Sequence, residues 1–358
     1  MSWQGIQGHD DVVEQFRRSL ARGRLASTFL FVGPEAVGKN AFALKLAQTL
    51  LCQTRPEQEM SPCGACPGCV QVLAGTHPDL ERIAKPKDRS VIPVDTFIGG
   101  GDKRMQEGLC HNISLKPFMG GRKVAIIDDA DFLGVEGANC LLKTLEEPPP
   151  RSVMILIGTS PEKQLPTIRS RCQLIRFSPL PEEVLAGLLI STGAVSEQAE
   201  AQRIARYSEG SLERAAQLAD PALWDFRKDL LQFLSRPQLE SVRFAPVLVT
   251  FVDSAGKEAP PRRARARQAI GFAVEFYRQL IRTLSGAEPG DDPEVAAAVT
   301  QTTRHWHGDE ETAGRMLLRS LDALEHIDRN ANQGTLLECW LDDLAQLSAG
   351  TLALPGVR

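Results

Sequence analysis

Gly33, Gly38 and Lys39, in the stretch GPEAVGKN, have the types and spacing of a phosphate-binding loop, G-x-x-x-x-G-K-[ST]. Glycines let backbone N–H groups close around phosphate oxygens, the lysine adds a point charge, and the helix that follows turns its positive end toward the anion. Asn40 stands at the last position of the pattern, where a hydroxyl would ligate the magnesium ion of a bound nucleotide. An amide oxygen is a poorer ligand there, because magnesium tolerates little geometric error. The partner acids lie in VAIIDDAD. Asp128 ends an apolar run, a place from which a carboxylate reaches the metal or its water, and Asp129 follows where a hydrolase commonly carries a water-orienting Glu. Asp129 is one methylene shorter. Both departures weaken the same step, so ATP and magnesium are candidate ligands of a site in which hydrolysis is doubtful. The plainer uses of these residues are glycines making a strand-to-helix turn and an Asp pair capping the next helix.

Cys52, Cys63, Cys66 and Cys69 have the spacing C-x10-C-x2-C-x2-C. Four thiolates so spaced close a tetrahedral zinc site with no open position, which is structural rather than catalytic. Proline and glycine between the last three suit a knuckle and not a core. Cys110, Cys140, Cys172 and Cys339 stand singly and read as small core hydrophobes. In PTIRSRC, Arg169 and Arg171 lie just after an apolar run. An arginine at that edge can stabilise phosphoryl-transfer charge on a neighbour's nucleotide, or simply face water. Arg214 in GSLERA has the same two readings. Arg262, Arg263, Arg265 and Arg267 form a basic cluster without interleaved aromatics, which favours a solvated helix entry over a DNA contact. His305, Trp306 and His307 have no cysteine or acidic partner at ligand spacing, so a packed or surface pair is favoured over metal.

The elements that must position these residues are legible in outline. Thr28–Val32 (TFLFV), Val124–Asp128 and Val153–Thr159 are near-continuous apolar runs separated by helical patterns, which predicts a parallel sheet with helices on both faces and ligands at the carboxyl ends of its strands. Residues 1–177 then form an α/β P-loop domain carrying the zinc insert. After Phe177 strand signals stop: 178–220 read as a small helical domain, 221–350 as an all-helical third domain, and 351–358 as a loose tail. DSAGKEAPPRRARARQ reads as an exposed loop running into a basic helix start. The chain of 358 residues, 42% hydrophobic, has no apolar run near the roughly 20 residues that span a bilayer, and MSWQGIQGHDD lacks the regions of a signal peptide. A cytoplasmic location is the default expectation. A net charge of −4 argues against a whole-surface grip on nucleic acid but permits a local basic groove.

Taken together, GHDDVVEQFRRSLARGRLASTFLFVGPEAVGK, the four-cysteine insert, GTHPDL, KVAIIDDAD, NCLLKTLEEPPP, IRSRC and NANQGTLLECWL resemble the bacterial replicative clamp-loader subunits of the AAA+ superfamily. The resemblance covers nearly the whole chain, and LLKTLEEPP paired with the SRC of Ser170, Arg171 and Cys172 is its most specific part. It implies an AAA+ module, a helical lid, and a collar through which five subunits form a ring that places the sliding clamp on primed DNA. The partners implied are the motor subunits gamma and tau and the delta subunit. Arg171 becomes the favoured finger acting in trans. Asn40 and Asp129 depart from the motor subunits and fit a stator role without hydrolysis. Ser27 and Thr28 replace the usual His-Ala, and IGGGDKRMQ replaces an ordered helix before GRKV. Two other readings stay open: an ATP-cleaving gamma- or tau-type motor, of which only the tau-length form is disfavoured by the absence of a long C-terminal extension, and a small-molecule P-loop kinase, for which the helical last third offers neither a substrate pocket nor an acidic base.

Overall fold

The computed structural model describes residues 3–86, 88–288, 290, 292–305, 308–329 and 331–351. The chain divides into two compact units, Met1–Ala219 and Asp220–Arg358. The first is built on a five-stranded parallel sheet of β1 (Thr28–Val32), β2 (Leu80–Ile83), β3 (Lys123–Ile127), β4 (Ser152–Ile157) and β5 (Gln173–Arg176), in the order β2-β3-β4-β1-β5. Two strands beyond the three apolar runs are therefore present. Both lie at the edges, where one neighbour suffices and charged residues are tolerated: LERI buries only Ile83 and QLIR only Ile175.

Burial on both faces follows from strand alternation. In β1, Phe29 and Phe31 point into one layer with Phe16, Phe42 and Leu46, whereas Leu30 and Val32 point into the other with Phe97, Leu141 and Met154. The first layer is aromatic. Phe16 lies 5.0 Å from Phe29 and 5.5 Å from Phe42 between ring centroids, at tilted angles that suit aromatic quadrupoles. Helix Lys39–Leu50 buries Phe42, Ala43, Leu46 and Ala47 against this layer, which fixes the phosphate loop at its N-terminus. Beyond β5 the first unit continues as the helices Glu182–Ser191, Gln198–Tyr207 and Leu212–Leu218.

The second unit has six helices among the described residues: Pro221–Leu234, Ser241–Asp253, Ala259–Leu284, Pro293–Thr303, Glu310–Asp328 and Gln333–Ser348. Apolar stripes of these helices are buried, with Leu223, Phe226, Leu230, Phe272, Phe276, Leu337, Leu341 and Leu344 all in the core. Arg227 is buried too, ion-paired to Asp292 at 2.8 Å and to Glu294, with its guanidinium over the rings of Trp224 and Phe272. Two local expectations need correction. The helix starts at Ala259, so PPRRARAR is helical from its prolines onward, as proline at the first helical positions favours. Cys339 is exposed on its helix rather than a core residue. The helix Gln333–Ser348 buries Leu336, Leu337, Trp340 and Leu341, and Cys339 falls on the other face. Of the tail, residues 352–358 lie outside the described residues, as do Trp306 and His307. No helix among the described residues is long and apolar enough to cross a membrane.

Candidate nucleotide and metal sites

The phosphate loop leaves β1 at Gly33 and enters its helix at Lys39. Gly33 has φ of 150°, and a Cβ there would lie 2.2 Å from the carbonyl oxygen of Phe177. Gly38 is left-handed at φ of 102° and caps the helix without a side chain. Glycine is thus required at both positions by backbone geometry. The loop is tied down from outside: His9 Nε2 lies 2.6 Å from the Val37 carbonyl oxygen, and the Leu212 N–H donates to the Ala36 oxygen at 3.1 Å.

Pro34 and Glu35 of the loop are exposed, whereas Lys39 and Asn40 at its end make contacts within the protein. Lys39 is buried, and its ammonium donates to the carbonyl oxygens of Gly33 (2.6 Å) and Pro34 (2.5 Å). Burial draws its pKa below the usual lysine range, against the opposing pull of Glu35, Asp128 and Asp131. β4 separates β1 from β3, so at strand spacing the loop and Asp128 start about 10 Å apart and must meet through side chains. Asn40 makes that link by donating from Nδ2 to Asp128 Oδ2. An ionised carboxylate only accepts, so the amide must present its NH2 group and not its oxygen. In this arrangement the pair does not fit a magnesium ion, which would need oxygen ligands from both sides. Asp129 is left-handed at φ of 55° and accepts from the Lys85 N–H at 3.2 Å.

Sequence reading missed a third acid. Asp131 accepts from the Thr159 N–H (2.9 Å), the Thr159 hydroxyl (2.5 Å) and Gln164 Nε2 (2.6 Å), knitting the end of β4 to the segment after β3. The signal was the last Asp of VAIIDDAD, which lies three residues past the metal-type acid Asp128.

Arg214 pairs with Glu209 at 2.5 Å on the surface, and Ser211 caps its helix through the Arg214 N–H. Arg171 lies at the β5 edge between Pro166–Arg169 and Gln173, and its guanidinium engages Glu146, Thr167 and Ser170. In the basic cluster, Arg262 pairs with Asp253, and Arg265 pairs with Asp220 while lying over the Phe251 ring. None of the four arginines is fully exposed. That favours a packed helix entry over a free cationic groove.

The four cysteines converge. Their sulfurs all lie within 4.8 Å of one another, with Cys52–Cys66 at 4.0 Å and Cys63–Cys69 at 3.9 Å. Tetrahedral Zn–S bonds of about 2.3 Å require sulfurs about 3.8 Å apart, so the group fits a metal ion of that kind. Local backbone prepares it: the N–H groups of Arg55, Cys66 and Cys69 point at the sulfurs of Cys52, Cys63 and Cys66. Backbone N–H groups of Ala65 and Cys66 lower the Cys63 pKa to about 6, favouring the thiolate a metal needs, while burial raises that of Cys69 to about 12.

A phosphate loop after β1, an acid after β3, and β4 between them define a P-loop module, here with an amide hydrogen-bonded to the acid. The sequence model of the family described as DNA polymerase III, delta subunit, matches residues 8–181. The chain is 35% identical over 222 residues to DNA polymerase III subunit delta' of Escherichia coli K12 and 31% identical over 227 residues to that of Pseudomonas aeruginosa. These matches span 62% and 63% of this chain and 63% and 66% of the relatives, less than two thirds of either relative's length. DNA polymerase III subunit tau of Escherichia coli K12 is 33% identical over 222 residues, 61% of this chain and 32% of that protein. The chain is therefore similar to bacterial DNA polymerase III subunits, delta' and gamma/tau both being among its matches.

Proposed function

We infer that this chain serves as a delta'-type subunit of a DNA polymerase III clamp loader, a stator that does not itself cleave ATP. The observation that carries this reading is the Asn40 amide donating to Asp128, which engages with each other the two side chains that would hold a magnesium ion. The Lys39 ammonium spent on two loop carbonyls supports it. Residues 1–177 serve as the AAA+ module, 178–220 as its lid and 221–350 as the collar of a hetero-oligomeric ring with gamma/tau and delta, through which the sliding clamp and primed DNA are engaged. Cys52, Cys63, Cys66 and Cys69 hold a structural zinc ion.

Arg171 acts in trans, as an arginine finger on the nucleotide of an adjacent motor subunit. Its place in the turn before β5, beside Thr28 at the start of β1 and so at the other end of that strand from the phosphate loop, supports that role. Replacing Arg171 with Ala in a reconstituted loader tests it: DNA-stimulated ATP turnover should fall while assembly persists, and unchanged turnover refutes the role. The intact Gly33, Gly38 and Lys39 and the similarity to tau keep a second reading, an ATP-cleaving motor, in play. Magnesium-dependent hydrolysis by the chain alone, lost in Lys39→Ala, would favour that motor.

A further inference from the structure

We propose that Glu146 is the positioning residue for Arg171. The inference rests on the arginine-finger reading and deepens it. Glu146 is the last residue of helix Val135–Glu146. The run Pro148–Pro150 ends that helix, because a residue before proline is driven out of the helical region, and this sets the carboxylate at a fixed point beside the β5 edge.

Arg171 is held from several sides. Nε donates to Glu146 Oε1 at 2.8 Å, and Nη2 donates to the same oxygen. Nη1 donates to the Thr167 carbonyl at 2.9 Å and to Ser170 Oγ at 3.1 Å. Its own carbonyl accepts from the Thr28 hydroxyl at 2.7 Å, which anchors the backbone to β1. Four of the five guanidinium N–H donors are thus engaged, and one on Nη2 remains to offer outward. Thr167 and Ser170 are local to the turn. Only Glu146 reaches across from another element, so it is the contact that sets the direction of the guanidinium.

An unheld arginine spreads over many rotamers, and that freedom must be lost again when a phosphate binds; holding the fork in advance removes most of that loss. The pair is weak enough to permit this use. Side-chain exposures of 31% for Arg171 and 49% for Glu146 leave it solvated and open to a neighbouring subunit. An exposed ion pair directs a side chain without outbidding a triphosphate for it.

The test is steady-state ATP turnover with primed DNA in a loader reconstituted from this chain and its partner subunits, comparing wild type, Glu146→Gln, Glu146→Asp, Arg171→Ala and the double variant Glu146→Gln/Arg171→Ala. Misplacing the fork should lower kcat about threefold to tenfold in Glu146→Gln. KM for ATP should stay unchanged, because the motor subunit grips the nucleotide. Glu146→Asp should recover part of the loss, and the double variant should match Arg171→Ala alone. Glu146→Gln equal to wild type beside an impaired Arg171→Ala overturns the positioning role and leaves the finger reading intact. Losses that multiply in the double variant also overturn it, since Glu146 would then act independently of Arg171. If Arg171→Ala itself turns over normally, the finger reading falls and the positioning role falls with it.

Discussion

The Asn40 side chain donates a hydrogen bond to Asp128, joining the phosphate loop after β1 to the acid after β3 across the intervening β4. In a working nucleotide site these two positions would share a magnesium ion; here a neutral amide satisfies the carboxylate directly. Replacing the amide by a hydroxyl removes the donor that is spent on Asp128. Asn40→Thr should therefore make ATP binding by the isolated chain magnesium-dependent and at least about tenfold tighter, roughly the value of one recovered charged contact. Titration calorimetry with and without magnesium measures it, and equal affinities in both proteins would count against the role given to Asn40.

A zinc ion at Cys52, Cys63, Cys66 and Cys69 should be present at one per chain by elemental analysis of the purified protein. Cys63→Ser should abolish it and lower the melting temperature of the first unit by several degrees, since each kcal/mol is worth about 2–4 °C at this size. Retention of stoichiometric zinc in the variant would rule this ligand set out.

Gly33→Ala should destabilise the first unit by about 2 kcal/mol or more. The added Cβ would lie 2.2 Å from the Phe177 oxygen, on a backbone at φ of 150°. Urea unfolding checks this, and a midpoint like that of wild type would show that the loop relaxes freely.

Thiol chemistry should separate the cysteines. Burial pushes the Cys172 thiol up to about 12. At pH 8 its thiolate fraction is then about one in ten thousand, so alkylation in the native protein should be slow and should accelerate as pH rises toward that value. Cys339 is exposed and should label first. Mass spectrometry after brief alkylation reads both. Fast native labelling of Cys172 at pH 8 would contradict its partial burial against the core under the sheet.

The parts of the fold readable from sequence were those with local signatures. TFLFV followed by GPEAVGK announces a strand, a turn and a helix, and three cysteines in seven residues announce a knuckle, because spacing alone encodes both. Edge strands β2 and β5 carried no such pattern, since each pairs on one side and leaves Arg82, Gln173 and Leu174 exposed. Side-chain direction was equally hidden. Lys39 folds onto its own loop, and Arg171 meets Glu146 across 25 residues of chain, and both depend on packing that no local spacing encodes. Cys339 shows the converse error: an isolated cysteine is often a core residue, but the helical phase of Gln333–Ser348 turns this one outward.

ATP hydrolysis by the isolated chain, followed as radiolabelled phosphate release with magnesium at high protein concentration, tests the stator reading most directly. Turnover should be indistinguishable from that of Lys39→Ala and from buffer. Magnesium-dependent cleavage that disappears in Lys39→Ala would mean that the Asn40–Asp128 contact opens to admit a metal, and that the chain is a motor.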